Sequence, residues 1–311
     1  MYNTRLDFMS HRRLAVGLSL LLIVASLVLV GIRGLNFGLD FTGGTLIEVA
    51  FQDGVTADTV RGVLAKGDLG EVTVQQLGSE HDLLVRIPVH PTLSESQVSA
   101  ELLSRLASGQ LPPAEIRRTE FIGPSVGEDL RDAGGIALLG AFGGIGLYVA
   151  WRFSGKFATA SIVALVHDVV LTVGMFSLFQ WSVDLSTVAA LLTVIGYSLN
   201  DTIVICDRIR ENLRQLRRES LTEVINLSLN QTLERTLIMS VTTLAVLLAM
   251  VFFGGDQLRG FAMALTIGVV VGTYSSIYVA AAYLIFARLS REDILLPTPE
   301  TGADKSGDGA P

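Results

Sequence analysis

A carboxylate interrupts one of the most apolar stretches of this 311-residue chain. Asp201 lies near one end of the run 185–206, which is long enough to cross a lipid bilayer. An aspartate at the centre of a membrane helix costs about 2.5 to 3.5 kcal/mol on insertion scales, so such residues usually face a partner, a cavity or an ion path. Thr193, Tyr197 and Asn200 precede it at helical spacing. The spacing predicts a polar stripe on one side of a helix, with a protonatable acid as the favoured functional group and a structural hydrogen bond as the alternative.

Other polar residues in apolar surroundings are candidates for the same site. Asp168 follows His167 in the middle of another apolar run, where the two could extend a proton relay or form a structural pair that orders the helices. Arg235 lies near the start of a later run and could pair with Asp201 or reach towards lipid headgroups. Asn200 and Thr202 flank Asp201, and we expect them to bind it or to position water.

Composition fixes the class of protein. Half of the residues are hydrophobic, 17% are charged and the mean hydropathy is +0.53, which is typical of a membrane protein. Six stretches have the length and apolar character of spanning helices. They run over 14–32, 133–151, 157–180, 185–206, 236–253 and 261–286. The first is longer than the apolar core of a secretory signal, so we expect it to be a retained anchor.

Basic residues predict the orientation of these helices. They cluster before the first helix, between the second and third, between the fourth and fifth, and after the sixth, so they lie on one side of the membrane. Because that side is normally cytoplasmic, both the segment 1–13 and the tail 287–311 are predicted to be cytoplasmic, the tail as a disordered segment. The segment 207–230 is predicted to be a basic cytoplasmic loop, in which 208–218 form an amphipathic helix against anionic lipid.

The segment 33–132 is then the exported domain. It holds 15 acidic and 8 basic residues, a net charge of −7, which is opposite in sign to the basic surface that nucleic acid binding requires. The order βαββαβ is predicted for this domain. Strands with alternating apolar and polar residues are expected near 45–51, 71–77, 83–89 and 114–121, and the helices between them are capped by Thr56 and Ser94. This order indicates a ferredoxin-like α+β domain inserted between the first two of six membrane helices.

Glycines mark two further features. Gly140 and Gly144, and again Gly268 and Gly272, are four residues apart within apolar runs, which favours close helix packing inside this chain or, alternatively, against a partner subunit. Gly43 and Gly44 are expected to form a backbone bend where the membrane anchor meets the exported domain. The single cysteine, Cys206, excludes an intrachain disulfide.

Five motifs together resemble the SecF family of export-membrane proteins, within the resistance-nodulation-division superfamily of proton-driven transporters. They are LNFGLDFTGGTLIEV at 35–49, FIGPSVGEDLRDAG at 121–134, ALVHDVVLTVG at 164–174, IGYSLNDTIVICDRIREN at 195–212 and LNQTLERTLIMSVTTL at 229–244. The resemblance covers nearly the whole chain. It implies a subunit of the bacterial inner membrane that uses the proton gradient, after the ATP-driven step, to complete export of unfolded precursor proteins.

The resemblance also implies residue roles and partners. Asp201 of the LND motif becomes the protonatable carboxylate and Arg235 of LER its charged counterpart, with Asp168 as a weaker relay member and Asn200 and Thr202 in support. The implied partners are SecD as a heterodimer, the SecYEG channel, YajC, YidC, unfolded precursors and membrane lipid. Neither a cofactor nor enzymatic activity is expected, and a GxxxxGK[ST] nucleotide loop does not occur in the sequence.

Three alternatives remain from the residues alone. An intramembrane aspartyl protease would need two carboxylates close enough to share a proton, yet the sequence has no GxGD motif. A small-molecule exporter of the same superfamily would share the proton site but commonly carries about twelve spanning helices. A passive scaffold would leave the intramembrane charges dispensable.

Overall fold

The computed structural model describes residues 6–65, 69–70, 72–77, 81–90, 93–109, 111–153 and 155–294. Within them, six helices are long and apolar enough to cross a membrane, as predicted. The long helices are α1 (Arg12–Arg33), α5 (Pro124–Arg152), α6 (Gly155–Phe179), α7 (Leu185–Gln215), α8 (Leu221–Phe253) and α9 (Gly255–Ser275), the last continued by a π-helical turn (Ser276–Ala280) and α10 (Ala281–Phe286). The part of the predicted disordered tail at 295–311 lies outside the described residues.

The remaining elements form a small α+β domain and its connections. They are α2 (Leu39–Thr42), α3 (Ala57–Leu64) and α4 (Glu95–Ser108), with strands β1 (Asn36–Phe37), β2 (Gly44–Phe51), β3 (Thr73–Gln76), β4 (Asp82–Ile87), β5 (Ala114–Ile122) and β6 (Ser182–Val183). The larger sheet is antiparallel with the order β3-β4-β2-β5, which is the ferredoxin-like arrangement that the sequence predicts.

The core of this domain lies on one face of the sheet. Alternate residues of β2 and β4, such as Ile47 and Val85, are fully buried against α3 and α4, because a strand places every second side chain on the same face. The helices begin where the sequence predicts. Thr56 accepts a hydrogen bond from the Thr59 backbone, and Ser94 forms a capping box with Gln97.

Two glycines join the domain to the membrane helices. Gly43 and Gly44 have φ angles of +69° and +132°, which only glycine adopts without strain. A Cβ atom at Gly44 would lie 2.5 Å from the Ile87 carbonyl oxygen of the neighbouring strand. The chain can therefore turn directly from α2 into β2 with β4 alongside, as the predicted bend requires.

The uncovered face of the sheet meets the loop that precedes α7. β1 pairs with β6 in that loop, and the Leu185 backbone donates to an Asp40 carboxylate oxygen at 2.8 Å. From β4, Arg86 donates to the Ser182 hydroxyl at 3.1 Å and lies 3.9 Å from Asp184, which caps α7. These contacts fix the start of α7 to the α+β domain. We call the opposite end of the helix bundle the far end.

The segment 207–230, predicted as a loop with a separate amphipathic helix at 208–218, consists of extensions of two membrane helices in the structure. α7 continues to Gln215 and α8 begins at Leu221, so only a short turn separates them. Ser220 and Glu223 form a capping box that starts α8 well before its apolar run. The apolar pattern marks only the lipid-depth part of each helix, and the polar extensions are stabilised by pairing with each other, as in the 2.8 Å contact between Asn212 and Ser228.

Candidate functional site in the membrane core

Asp201 is enclosed by hydroxyl groups from two other helices. Its carboxylate accepts one hydrogen bond from the Thr236 hydroxyl of α8 at 2.6 Å and one from the Ser276 hydroxyl of the π-helical turn at 2.7 Å. The residue is only 5% exposed. A hydroxyl can donate to a carboxylate or accept from a carboxylic acid, so this partner set suits both protonation states of Asp201.

Asp168 has a second set of hydroxyl partners. One carboxylate oxygen accepts hydrogen bonds from Ser198 of α7 at 2.5 Å and from Ser275 at the end of α9 at 2.8 Å. The other oxygen lies 2.9 Å from Nδ1 of His167, and both residues are almost completely buried. The predicted His167 and Asp168 pair therefore exists, and it links α6 to both neighbouring helices.

The two carboxylates share one structural element. Ser275 binds Asp168 and the next residue, Ser276, binds Asp201, at the point where the sixth membrane helix changes into its π-helical turn. Single π-helical turns inside α-helices occur frequently at functional sites. No hydrogen bond joins the two carboxylates within the described part of the chain. The shared proton that an aspartyl protease needs is therefore not supported.

The structure separates the other predicted site residues from this centre. Arg235 is exposed on α8 and forms no ion pair with Asp201 among the described residues. It lines a cavity of about 330 Å³ beside Asp207 and Glu211, towards the far end. Helix geometry explains this position, because Thr236 occupies the face of α8 that meets Asp201 and its neighbour points about 100° away.

The predicted polar stripe on α7 is also divided. Asn200 is exposed, whereas Thr202 is buried and its hydroxyl has no partner within the described residues. Tyr197 is half-buried and donates to Thr243 at 3.4 Å. Neither Asn200 nor Thr202 contacts the Asp201 carboxylate through a hydrogen bond in the described chain, so their supporting role remains a prediction.

Four hydroxyl residues of the site were missed from the sequence. They are Ser198, Thr236, Ser275 and Ser276. Serine and threonine are tolerated in membrane helices because they can bond to their own backbone, so residue type gives no signal of a side-chain partner. Their common signal is proximity in the fold, which a single sequence does not reveal.

The two glycine pairs behave differently. A Cβ atom at Gly268 would lie 2.1 Å from Val194, and one at Gly272 would lie 3.1 Å from Ser198, so this pair brings α9 close to α7 beside Asp168. A Cβ atom at Gly140 or Gly144 would meet no atom within 4 Å among the described residues. The prediction of helix packing inside this chain is therefore wrong for Gly140 and Gly144, which leaves the alternative that they pack against a partner subunit.

Fold and site together define a class. The chain is a polytopic membrane protein that carries one ferredoxin-like domain at one end and two buried, hydroxyl-bound carboxylates among its central helices. Helices α6, α7 and α9 are about half buried and form the middle of the bundle, whereas α1, α5 and α8 are mostly exposed and lie around them.

Comparison with known proteins narrows this class. The family described as "Protein export membrane protein SecD/SecF, C-terminal" matches residues 104–290, and the "SecD/SecF GG Motif" matches residues 28–55. The protein translocase subunit SecF of Pseudomonas aeruginosa is 47% identical over 96% of this chain and 97% of its own length. SecF of Escherichia coli O157:H7 is 46% identical over 96% of this chain and 93% of its own.

Solved structures of SecDF proteins resemble this chain as well. A crystal structure of SecDF from Thermus thermophilus, described as a translocon-associated membrane protein, superposes with a TM-score of 0.82 at 41% identity and covers 92% of this chain. A SecDF structure in a super-membrane-facing form gives 0.70 at 39% identity. The chain spans 39% of the length of each of these SecDF chains. The protein belongs to the SecD/SecF family.

Proposed function

We propose that this chain is the SecF-type subunit of a Sec translocase accessory complex, which uses the proton motive force to complete the movement of unfolded precursor proteins across the bacterial inner membrane. The translocase relatives at 46 and 47% identity support the assignment to protein export. In this proposal both termini and the far end are cytoplasmic, and the ferredoxin-like domain is periplasmic. The chain acts as a transport subunit rather than as an enzyme.

One observation carries the proton-coupled part of the proposal. Asp201 is buried between three helices and held only by neutral hydroxyls of Thr236 and Ser276 in the described chain. An ionised carboxylate there accepts two charge-assisted hydrogen bonds, whereas a protonated one donates to one hydroxyl and accepts a weaker, neutral bond from the other. Protonation of Asp201 therefore changes how α7 is held against α8 and the π-helical turn.

α7 connects this change to the domain outside the membrane. Asp201 lies sixteen residues after Leu185, which is about 24 Å along a helix that rises 1.5 Å per residue. Leu185 is the residue whose backbone binds Asp40 of the domain. A tilt of α7 at the carboxylate is thus transmitted by a continuous helix to the contacts that hold the domain.

The partner of this chain is proposed to be SecD. In the SecDF chains a region like this one makes up 39% of a longer polypeptide, so a second half completes the assembly there. The outward helices α5 and α8 are the surfaces available for it. Gly140 and Gly144 on α5 would permit close approach, and Arg235 on α8 would face the partner. Contacts with the SecYEG channel, YajC and YidC are further proposals.

The test is precursor export with the partner present and a proton gradient imposed. We expect Asp201→Asn to lose the gradient-dependent component of export, because an amide cannot change its charge. Arg235→Met should lose it too if the guanidinium completes the site with the partner. Asp207→Asn is the matched control, since Asp207 lies on the same helix but is half-exposed and 3.5 Å from Arg152.

All variants must insert and bind SecD normally before they are compared. Gradient-dependent export that is undiminished in Asp201→Asn would refute the proton-coupled mechanism and favour the passive scaffold. Equal losses in Asp201→Asn and Asp207→Asn would point to a general effect of charge on α7 rather than to the buried carboxylate.

A further inference from the structure

A groove opens between α1, α6 and α10 at the far end of the bundle. Its volume is about 760 Å³. Most of its wall is aliphatic, with Val163 of α6 and Val279 of the π-helical turn among the lining residues. The polar groups that line it are Arg12, Arg13, Ser19, His167 and Tyr283.

The arginines and the histidine lie at opposite ends of the groove. Arg12 and Arg13 begin α1, and Ser19 follows about 9 Å further along that helix, at 1.5 Å per residue. Tyr274, which stacks on the His167 ring with centroids 6.1 Å apart, has its hydroxyl 3.2 Å from the Ser19 hydroxyl. The groove thus leads from the basic start of α1 to the buried histidine.

His167 lines this groove and has one ring nitrogen without a hydrogen-bond partner in the described chain. The residue is 1% exposed, its Nδ1 is bound to Asp168, and its Nε2 has no hydrogen-bond partner within the described residues. A buried polar atom left without a partner costs about 1 to 3 kcal/mol. The Tyr274 hydroxyl does not supply one, because it donates to the Ala15 carbonyl at 2.9 Å. A polar occupant of the groove that reaches Nε2 would remove this cost.

We propose that the groove holds water continuous with the cytoplasmic face, and that His167 passes protons between this water and Asp168. The inference rests on the proposed proton-driven function and supplies the path by which protons pass between the membrane core and the cytoplasmic side. A buried water needs two to four polar partners, and Nε2 with the Ser19 hydroxyl provides two at the inner end. The cost of the unsatisfied nitrogen then disappears.

The proton transfer balances without another reactant. A protonated Asp168 gives its proton from Oδ1 to Nδ1 of His167, which becomes an imidazolium beside a carboxylate. The imidazolium then releases the proton on Nε2 to groove water. The ring is left as the Nδ1–H tautomer, which donates its hydrogen bond to the newly ionised Asp168. The reverse sequence carries a proton inwards.

Charged and titratable groups around His167 come from every element of the groove. Asp168 lies on its own helix, Arg12 and Arg13 on α1, and Tyr274 and Tyr283 on the sixth membrane helix. The arginine pair would also bind the phosphate of an anionic lipid whose chain enters the groove. Because an acyl chain cannot satisfy Nε2, water is the occupant that the histidine favours, and lipid is an outcome of the test.

Hydration of the groove is tested by cysteine reactivity. In a Cys206→Ala background with SecD present, we would measure labelling of Ser19→Cys by a membrane-impermeant methanethiosulfonate added from the cytoplasmic side. Leu21→Cys is the matched control, because Leu21 lies at nearly the same depth of α1 but is 64% exposed on its outer surface and does not line the groove. The cysteine thiolate, which forms in water and not in hydrocarbon, attacks the sulfur of the reagent and displaces methanesulfinate.

We expect Ser19→Cys to react at least tenfold faster than Leu21→Cys in vesicles of neutral or anionic phospholipid. Equal, slow labelling of both would overturn the water-filled groove. Rapid labelling of Ser19→Cys in neutral vesicles that is suppressed in phosphatidylglycerol vesicles would assign the groove to an anionic lipid instead, and would also overturn the proposal.

The role of His167 is tested by proton flux through the complex in proteoliposomes. His167→Gln retains a hydrogen-bond donor for Asp168 but cannot carry a proton through the ring, so it should reduce flux at least tenfold while Ser19→Cys labelling in the same variant stays fast. Normal flux in His167→Gln would remove His167 from the route. Normal flux in Asp201→Asn would instead refute the proposed function, whatever the labelling result.

Discussion

Replacing Gly44 with alanine should loosen the sheet of the ferredoxin-like domain at its junction with the membrane helices. A non-glycine residue at a φ of +132° costs on the order of 1 to 3 kcal/mol. The new Cβ atom would also stand 2.5 Å from the Ile87 carbonyl oxygen, so β2 and β4 must move apart and weaken at least one ladder hydrogen bond, worth about 1 kcal/mol. Together these effects amount to about 2 kcal/mol or more.

Hydrogen exchange measures this loss where it occurs. A free-energy change of about 2 kcal/mol corresponds to roughly 30-fold faster exchange of the amides of β2 and β4. Gly62→Ala is the control, since Gly62 lies inside α3 at an ordinary helical φ and its Cβ would meet no atom within 4 Å. That variant should gain up to about 1 kcal/mol of helix stability. Unchanged exchange in Gly44→Ala, or equal effects of the two variants, would refute the argument.

Three further outcomes follow from packing and charge. Gly268→Leu should lower the thermal midpoint in detergent by several degrees because α9 loses its close approach to α7, whereas Gly140→Leu should leave the midpoint unchanged and reduce copurification with SecD. Burial raises the pKa of Asp184 above its ordinary 3.8, against the attraction of a nearby arginine, so the folded state binds this proton more tightly than the unfolded state does. The free energy of unfolding should therefore fall as the pH rises from about 3.8 through the raised pKa. Asp184→Asn should remove this slope. The hydrogen bond from Lys156 lowers the pKa of Asp293, so this contact stabilises the fold above the ordinary pKa of aspartate and is lost as the pH falls through the lowered pKa. Hydrogen exchange of the segment after α10 should accelerate in that pH range. An unchanged rate would contradict the assignment.

The sequence correctly predicts the features that depend on the pattern of neighbouring residues. Six apolar runs give six spanning helices, and alternating strands with capped helices give the ferredoxin-like domain, because periodicity and capping are properties of neighbouring residues. It fails where polar residues extend a helix beyond its apolar run, as at 207–215, because hydropathy marks the bilayer and not the helix end. It also identifies Asp201 and Asp168 as costly charges without indicating which hydroxyls bind them.

The position of Arg235 indicates that this chain alone does not form the complete proton-coupling site. The arginine and Asp201 are close in depth, but Thr236 takes the inward face of α8 and leaves the guanidinium outside. An exposed arginine at the edge of a membrane bundle is stable only at the lipid surface or against another protein. The described chain provides the hydrogen-bond partners of Asp201 itself, whereas the partner of Arg235 must come from lipid or from another protein. If SecD covers α8, the two charges act on opposite sides of the same helix, and protonation of Asp201 alters the surface on which the partner rests. Coupling between the subunits would then be carried by the rotation of α8 and not by a direct ion pair, so Arg235→Lys should retain export while Thr236→Val uncouples it.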